Sequence, residues 1–513
     1  MSGALLGGAA PRGGSPRRRL EHDARDRGGG SSLGSASLGS GRFPGLRWGL
    51  FLLAPLLLLW MAGDGLRSGF FPDDMMNLYG AWREPWLRLV AFNLPGFPGG
   101  YRPVGALLYR ALFELFALNP LPYRILCWLL LLANLYLAWR LMQAASGCWA
   151  VASLGATLGA YHAYFSDLYY STATIYDLLC YGLYCGTLLY YFRRRSRGRL
   201  GWRALLVIAG LQWLALNAKE TAVTLPAMLL VSEWLFGWAP KRDFRATAIC
   251  GLLVLVGLAG KLTGPRALNS NPAYAPDPGL LGANLGHYYG LLFYRPEAMP
   301  AAGVFLLLVS VWLAAWLLRR RPVVPFAAAL LTLTPVPVLA IPPRSLYVFA
   351  LPATGWGLFA AALAFHLFPL RRWPLALRQV LLTSLGLAVL VPLHVARRPF
   401  ANHWLASEEP KMRTLLAELD RRLPALAPGS RILVLEDPFD RDDWILTSLF
   451  RLRYRDDSIE VRRIKQAGAP PPEQWRAYHY VLAIRDWRIE ILEHAPWEDG
   501  SVQPRRASPI PGS

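Results

Sequence analysis

The stretch LRWGLFLLAPLLLLWMAG, residues 46–63, followed at once by DGLRSGFFPDDMMNL, residues 64–78, decides the fold. The first part has the length and composition of a helix that crosses a bilayer, which needs about 20 apolar residues. The second part places two neighbouring carboxylates, Asp73 and Asp74, just past that segment. Adjacent anions near a membrane boundary repel each other and resist desolvation, so they are candidates for a functional site. The alternative is that they only cap the helix that begins beside them.

The composition predicts a membrane protein for the same reason. Hydrophobic residues make up 54% of the chain and charged residues only 17%, whereas about 25% is usual for a soluble protein. We therefore expect an all-α polytopic membrane protein with about eleven transmembrane helices. The predicted spans lie near 46–63, 122–142, 148–166, 168–191, 203–218, 221–238, 246–263, 301–318, 323–340, 346–367 and 375–396.

Clusters of basic residues predict the orientation of these spans. Starting with the N-terminus inside, the strong clusters at 193–199, 241–242, 319–321 and 371–372 all fall on one side. The positive-inside rule makes this side cytoplasmic. The N-terminus is then cytoplasmic, while the loops 64–121 and 264–300 and the C-terminal region lie outside. The net charge of +21 follows from this topology, and no nucleic-acid partner is expected.

Composition also divides the chain into regions. Residues 1–43 are rich in Gly, Ser and Arg and predict a disordered cytoplasmic tail. Residues 44–396 form the predicted transmembrane domain. Residues 397–496 alternate helix-like and strand-like patterns, which predicts a small extracytoplasmic α/β domain. Residues 497–513 are expected to be disordered. The five cysteines and eight histidines have no ligand-like spacing, so neither a metal site nor a cofactor is expected.

Charged and polar residues from distant loops are predicted to meet on the outer face. Carboxylates can accept a proton from a hydroxyl, and Arg or Lys can hold a phosphate. The simpler alternatives are an interfacial position for Arg102, Arg124 and His287, a contact with a nearby Tyr for Asp177, and a structural ion pair for Lys219 and Glu220. The candidate residues are Asp73, Asp74, Arg102, Arg124, Asp167, Asp177, Lys219, Glu220, His287, Arg344 and Tyr347.

Several of these residues sit in motifs that resemble a known family. The motifs are the acidic pair, Tyr101-Arg102-Pro103 with Tyr109-Arg110, Ala218-Lys219-Glu220, and Arg344-Ser345-Leu346-Tyr347. Over about residues 46–370, the chain resembles the GT-C glycosyltransferases that use polyprenyl-phosphate sugars. The likeness is greatest to the protein O-mannosyltransferase and aminoarabinose-transferase branch, a glycosyltransferase family 39-like group.

The resemblance implies roles for individual residues. Asp73 matches the catalytic base, with Asp74 beside it, and Asp177 matches the acid near the sugar or acceptor. Arg124 matches the arginine that meets the donor phosphate. Arg102, Lys219 and Arg344 are expected to assist at the phosphate, and Asp167, Glu220, His287 and Tyr347 to contact the acceptor or sugar. The family often has Asp-Glu where this chain has Asp73-Asp74, so the division of labour between the two stays open.

The expected activity is transfer of a sugar, with inversion, from a polyprenyl-phosphate donor to an acceptor hydroxyl on the extracytoplasmic face. The acceptor is a protein, a glycan or a lipid, and membrane lipids surround the enzyme. The bacterial inner membrane is the expected location. The alternative is a polytopic transporter or lipid flippase, for which charges near the bilayer midplane and inverted repeats are typical. A membrane scaffold or sensor is a third reading, with the acids purely structural.

Overall fold

The first apolar segment forms a helix at the predicted place. The computed structural model describes residues 44–90, 102–238, 241–262, 275–367, 373–494 and 505–506. Helix α1 covers Pro44–Ala62, against a predicted span of 46–63. The predicted tail 1–43 lies outside the described residues. The described chain is mostly helical (73%) with a small sheet near its C-terminus.

The remaining helices up to residue 367 follow in chain order. They are α2 (Pro72–Arg83), α3 (Trp86–Val90), α4 (Pro103–Phe116), α5 (Pro120–Ser146), α6 (Trp149–Leu158), α7 (Ser166–Tyr170), α8 (Ile175–Arg195), α9 (Trp202–Ala218), α10 (Leu225–Phe236), α11 (Arg245–Leu262), α12 (Leu281–Leu292), α13 (Ala301–Leu317), α14 (Val323–Leu333), α15 (Val336–Leu339) and α16 (Ala350–Leu367). Short 3-10 turns at Gly63–Arg67, Ala163–Phe165, Glu220–Thr224 and Leu346–Phe349 connect several of them.

Within the described residues, four segments have the length and composition to cross a membrane: Trp48–Arg67, Pro120–Ser146, Leu346–Leu367 and Leu375–His403. Shorter apolar helices lie at Trp149–Leu158, Trp202–Ala218, Ala301–Leu317 and Val323–Leu339. Helix α13 exposes Phe305, Leu306, Trp312 and Trp316 along its length. A continuous apolar surface of this kind is suited to lipid. The helices therefore indicate a membrane protein, and the count of eleven spans stays a prediction.

Several predicted spans are shorter than expected. The span predicted at 168–191 forms its long helix only from Ile175, and the one predicted at 323–340 is interrupted after Leu333. Helix α6 ends at Leu158, although the span was expected to run from 148 to 166. After Gly159, the His162 side chain accepts a hydrogen bond from the Tyr164 backbone N–H at 3.3 Å, which starts a new turn. The span expected at 221–238 begins instead with a 3-10 turn and becomes helix α10 only at Leu225.

The C-terminal region is an α/β structure, as expected. Its elements are α17 (Leu375–Arg422), β1 (Ala425–Leu426), β2 (Arg431–Glu436), α18 (Ile445–Arg453), β3 (Glu460–Arg463), α19 (Ile464–Ala467), β4 (Tyr480–Arg485), β5 (Arg488–His494) and β6 (Arg505–Arg506). The main sheet has the order β3-β2-β4-β5. Strand β2 is parallel to β3 and β4, and β5 returns antiparallel to β4.

Three details of this region differ from the prediction. Helix α17 continues the last apolar segment without a break, through Pro392, Pro399 and Pro410. At 1.5 Å per residue it is about 70 Å long, so it extends well beyond a bilayer core of about 30 Å. Strand β5 was not predicted. Strand β6 pairs with β1 inside a stretch expected to be disordered; the rest of 497–513 lies outside the described residues.

The C-terminal region docks directly on helix α2, which carries Asp73 and Asp74. Helix α18 packs against α2, and the Tyr79 hydroxyl donates a hydrogen bond to Asp457. Asp457 also pairs with Arg83 at 3.4 Å. Further along the chain, the Gly69 backbone N–H donates to Glu409 of α17 at 3.0 Å. The described residues from Gly49 onward therefore form one compact unit.

Candidate active site

A cavity of about 390 Å³ lies where several short connecting segments meet. Three of the predicted site residues, Asp167, His287 and Arg344, line it. They come from α7, from α12 and from the segment that precedes the 3-10 turn Leu346–Phe349. The other lining residues are Tyr164, Ser166, Leu291, Pro343, Ser345, Leu346 and Ala401.

The two neighbouring carboxylates of α2 have different environments. Asp74 is fully buried, and its Oδ2 accepts a hydrogen bond from the backbone N–H of Phe71 at 2.7 Å. Its Oδ1 accepts one from the Ser171 hydroxyl at 3.3 Å. Burial raises the pKa of Asp74 to about 6, although a hydrogen bond with Thr172, the one from the Phe71 N–H and the nearby Arg124 oppose the rise. Asp74 thus caps its own helix, which is the structural role considered for the pair.

Asp73 occupies the other face of the same turn and is exposed. Protein atoms still surround much of its carboxylate, and this desolvation raises its pKa. Asp443 of the C-terminal region raises the pKa further, while Arg344 lowers it. Asp73 therefore combines access to solvent with electrostatic contact to the cation in the cavity wall. These are the properties of a carboxylate that can exchange a proton with a bound molecule.

Asp167 links the acids electrostatically. Burial raises its pKa to about 6, a hydrogen bond with Ser345 opposes the rise, and the charges of Asp73 and Asp177 add to it. The charges of carboxylates on α2 and α8 therefore reach Asp167 on α7. Their repulsion disfavours the ionised form of the Asp167 carboxyl.

A hydrogen bond fixes the backbone of Arg344. Its N–H donates to the Tyr288 hydroxyl at 2.9 Å, and the Tyr288 ring stacks on Phe349 with ring centroids 4.7 Å apart. Because His287 and Tyr288 are neighbours on α12, this contact fixes the arginine segment against the helix that carries His287. The guanidinium is half-buried in the cavity wall, where a cation can face a bound anion.

A second group of predicted residues forms an ion-pair network deeper among the helices. The Lys219 ammonium pairs with Asp177 and lies 4.8 Å from the centre of the Tyr347 ring. Glu220 pairs with Arg102 at 2.8 Å and with Lys261 at 2.7 Å. The chain from Arg344 to Tyr347 connects the two groups, since Arg344 and Ser345 line the cavity and Tyr347 covers Lys219.

Arg124 is a predicted site residue that neither lines the cavity nor belongs to the ion-pair network. It is fully buried in α5, and its Nε donates to the Gly65 carbonyl at 2.9 Å. One terminal nitrogen donates to the Tyr169 carbonyl. A Cβ on Gly65 would lie 2.2 Å from that Tyr169 oxygen, so only glycine fits this close approach. Arg124 therefore joins the segment after α1 to α7 and positions the walls of the site.

Four polar residues at the site, Tyr164, Ser166, Ser345 and Asp443, were not among the predicted site residues. Ser345 follows Arg344 and Ser166 precedes Asp167, two residues that were predicted, so their positions in the sequence could have indicated them. Tyr164 belongs to a segment that was expected to be membrane-spanning. Asp443 lies 370 positions from Asp73 in the chain, and no local pattern connects them. Within the described residues, no group of His, Cys, Asp and Glu is arranged to hold a metal ion.

No protein-family model matches this chain, and no curated protein is significantly similar to it. The function is therefore inferred from the geometry of the site.

Proposed function

We propose that the protein is an inverting membrane glycosyltransferase that moves a sugar from a polyprenyl-phosphate donor to an acceptor hydroxyl on the extracytoplasmic face. The observation that carries this proposal is that the charge of Arg344, a cation in the cavity wall, acts on the pKa of an accessible carboxylate, Asp73. Transfer from a phosphate needs both groups: a base for the acceptor and a fixed positive charge for the departing phosphate.

In the proposed reaction, Asp73 takes the proton of the acceptor hydroxyl as that oxygen attacks the anomeric carbon. A new bond forms between the acceptor oxygen and the anomeric carbon. The bond between that carbon and the phosphate oxygen breaks, and its electron pair leaves with the polyprenyl phosphate. The raised pKa of Asp73 suits this role, because a stronger base removes the proton more readily.

Arg344 is the cation best placed for the leaving phosphate, because its side chain lines the cavity. Lys219 and Arg102 are already paired with Asp177 and Glu220, and Arg124 is committed to backbone carbonyls. We therefore assign a structural role to Lys219, Arg102 and Arg124, which hold Asp177 and the segments around Arg344 in place. Asp167 and His287, on the cavity wall, are the side chains proposed to meet the sugar.

The same proposal includes the membrane arrangement. Eleven spans with a cytoplasmic N-terminus put α2, the cavity and the C-terminal region on the outer side, where the donor sugar on its lipid carrier approaches from the outer leaflet. The Arg-rich end of α8 at Arg193–Arg195 then faces the cytoplasm, as the positive-inside rule requires. A bacterial inner membrane is the proposed location.

Purified protein incubated with a panel of polyprenyl-phosphate sugars tests the proposal. We expect release of polyprenyl phosphate from one donor, together with a new glycoside of inverted configuration on the acceptor. A product with retained configuration would contradict direct displacement. Absence of release from every donor, with the protein folded and in a lipid bilayer, would refute the glycosyltransferase assignment.

One observation favours a transporter as the second candidate. The pairs Lys219–Asp177 and Arg102–Glu220–Lys261 are mostly buried between helices, and ionisable groups inside a membrane often mark a substrate pathway. Accessibility labelling of cysteines placed beside Asp177 distinguishes the two. Labelling from both sides of the membrane would favour transport, and labelling from the outer side alone favours the glycosyltransferase.

A further inference from the structure

The Arg195 side chain joins three segments at one end of the helices. It forms an ion pair at 2.7 Å with Glu233 of α10, and both side chains are fully buried. It also donates a hydrogen bond to the Lys241 carbonyl, and Glu233 accepts the Asp243 backbone N–H at 2.7 Å. A buried, fully paired charge of this kind holds the end of α8, the end of α10 and the segment before α11 in one arrangement.

Asp243 extends this arrangement to the linker between α8 and α9. It accepts the Leu200 backbone N–H at 3.3 Å and pairs with Arg245 at 2.7 Å. Arg245 in turn donates to the Leu200 carbonyl at 2.7 Å. The linker after α8 is therefore fixed beside the start of α11, although more than 40 residues of sequence separate them.

The surface of these two joined segments carries positive charge. Within 194–203 and 241–245 the only carboxylate is Asp243, which is buried. Six exposed cations lie in the same ranges: Arg194, Arg197, Arg199, Arg203, Lys241 and Arg242. Like charges held close together repel one another, so an anion that neutralises them stabilises this surface.

Three of these arginines lie over an aromatic ring. The distances from the guanidinium carbon to the ring centre are 4.1 Å for Arg242 and Trp234, 5.2 Å for Arg194 and Tyr190, and 5.5 Å for Arg203 and Trp202. Trp202 and Trp234 are 66% and 62% exposed. Tryptophan is enriched at the membrane–water interface, where its ring contacts apolar groups and its N–H contacts polar ones.

The two indoles lie where exposed apolar helix surfaces end. Leu206 is 61% exposed on α9, one turn beyond Trp202, and Leu230 is 44% exposed on α10, one turn before Trp234. Leu252 is 61% exposed on the neighbouring α11. Surfaces of this kind are suited to lipid tails. The tryptophans and the arginines over them then lie at the depth of the lipid headgroups.

We propose that this basic patch, formed by the cations of 194–203 and 241–242 with Trp202 and Trp234, binds the headgroups of anionic lipids. Guanidinium groups donate hydrogen bonds to the lipid phosphates, while the indoles pack against the lipid below them. Nucleic acid fits the patch less well, because the indoles that would stack on bases adjoin the lipid-facing surface. The inference goes beyond the proposed glycosyltransferase function and does not depend on it.

Native mass spectrometry of full-length protein released from lipid nanodiscs tests the inference, with equal amounts of phosphatidylglycerol and phosphatidylcholine as probe lipids. We expect the wild type to retain phosphatidylglycerol in preference, and the triple variant Arg194→Gln, Arg203→Gln, Arg242→Gln to lose that preference. One Lys or Arg beside an anionic surface contributes roughly fivefold in affinity. Three together should therefore lower the retained ratio of the two lipids on the order of a hundredfold.

The matched control is the triple variant Arg441→Gln, Arg476→Gln, Arg488→Gln, which removes the same charge from exposed arginines of the C-terminal region. It should keep the wild-type lipid ratio, and added salt should lower that ratio in the wild type. Equal ratios in the wild type and the patch variant, or an equal loss in the control, would overturn the inference. Binding of an RNA oligonucleotide that is lost in the patch variant, without any lipid preference, would overturn it in favour of nucleic acid. No sugar donor is used, so either result leaves the glycosyltransferase proposal to its own assay.

Discussion

Replacing each member of the acidic pair by its amide, Asp73→Asn and Asp74→Asn, separates catalysis from capping. The two residues are adjacent on a helix, where neighbouring side chains point about 100° apart. Asp74 points into the protein and accepts the Phe71 N–H, while Asp73 is exposed near Arg344. Each substitution keeps the shape of the side chain and removes one negative charge, so each variant controls for the other.

The expected magnitudes differ strongly. Loss of a general base lowers the rate by about 10²–10⁴-fold, which at about 1.36 kcal/mol per tenfold is roughly 3–5 kcal/mol of transition-state stabilisation. Asp73→Asn should show a loss of this size. In Asp74→Asn the amide oxygen can still accept the Phe71 N–H, so the cap is kept and the rate should fall less than about tenfold.

The assay measures release of polyprenyl phosphate from the active donor, with thermal unfolding followed in the same nanodiscs. Asp73→Asn should unfold at the wild-type temperature because its side chain is at the surface. An inactive Asp74→Asn beside an active Asp73→Asn would refute the assignment of the base and transfer it to the buried carboxylate. Full activity in both variants would leave Asp167 or Asp177 as the base.

Three further predictions follow from the geometry. Arg344→Ala should lower kcat by about 10²–10³-fold, with partial recovery in Arg344→Lys, measured by the same release assay. The pKa of Asp74 is raised from 3.8 to about 6 in the folded protein. Its protonation therefore stabilises the fold fully below pH 3.8, and this stabilisation is lost as the pH rises through 6. Because Asn does not titrate, the unfolding temperature of Asp74→Asn should vary less between pH 4 and 7 than that of the wild type. Gly65→Ala places a Cβ 2.2 Å from the Tyr169 carbonyl oxygen and should destabilise the protein by about 1–3 kcal/mol, detectable as a lower unfolding temperature; an unchanged temperature would contradict the close approach.

Local patterns predicted the long helices well. The apolar run at 122–142 became α5, extended at its N-terminus to Pro120, where Asn119 caps the helix by accepting the Leu121 N–H. Strand β2, at Arg431–Glu436, lies in the region whose strand-like patterns predict an α/β domain. These elements are set by residues close together in sequence, so composition and period are sufficient to find them.

The same patterns failed where an apolar run breaks. Residues 148–166 are apolar enough to suggest a span, yet the helix ends at Leu158 and the chain turns so that Tyr164, Ser166 and Asp167 reach the cavity. His162 supports that turn from within: its ring stacks on Tyr294 with centroids 4.2 Å apart. That contact spans more than 130 residues of sequence, and hydropathy does not report it.

In the candidate site, the sequence was sufficient to identify the charged residues but not to determine the role of each one. Sequence indicated that acids and bases gather on one face, but their roles depend on which partner each one meets. Lys219 meets Asp177, and Arg124 meets two backbone carbonyls, so neither cation faces the cavity that Arg344 lines. A positive charge already neutralised by a fixed carboxylate or committed to carbonyls gains little by binding a phosphate, since the existing contact must first be broken. Arg344 is the predicted cation whose side chain forms part of the cavity wall, and it is therefore the cation whose loss should affect transfer most.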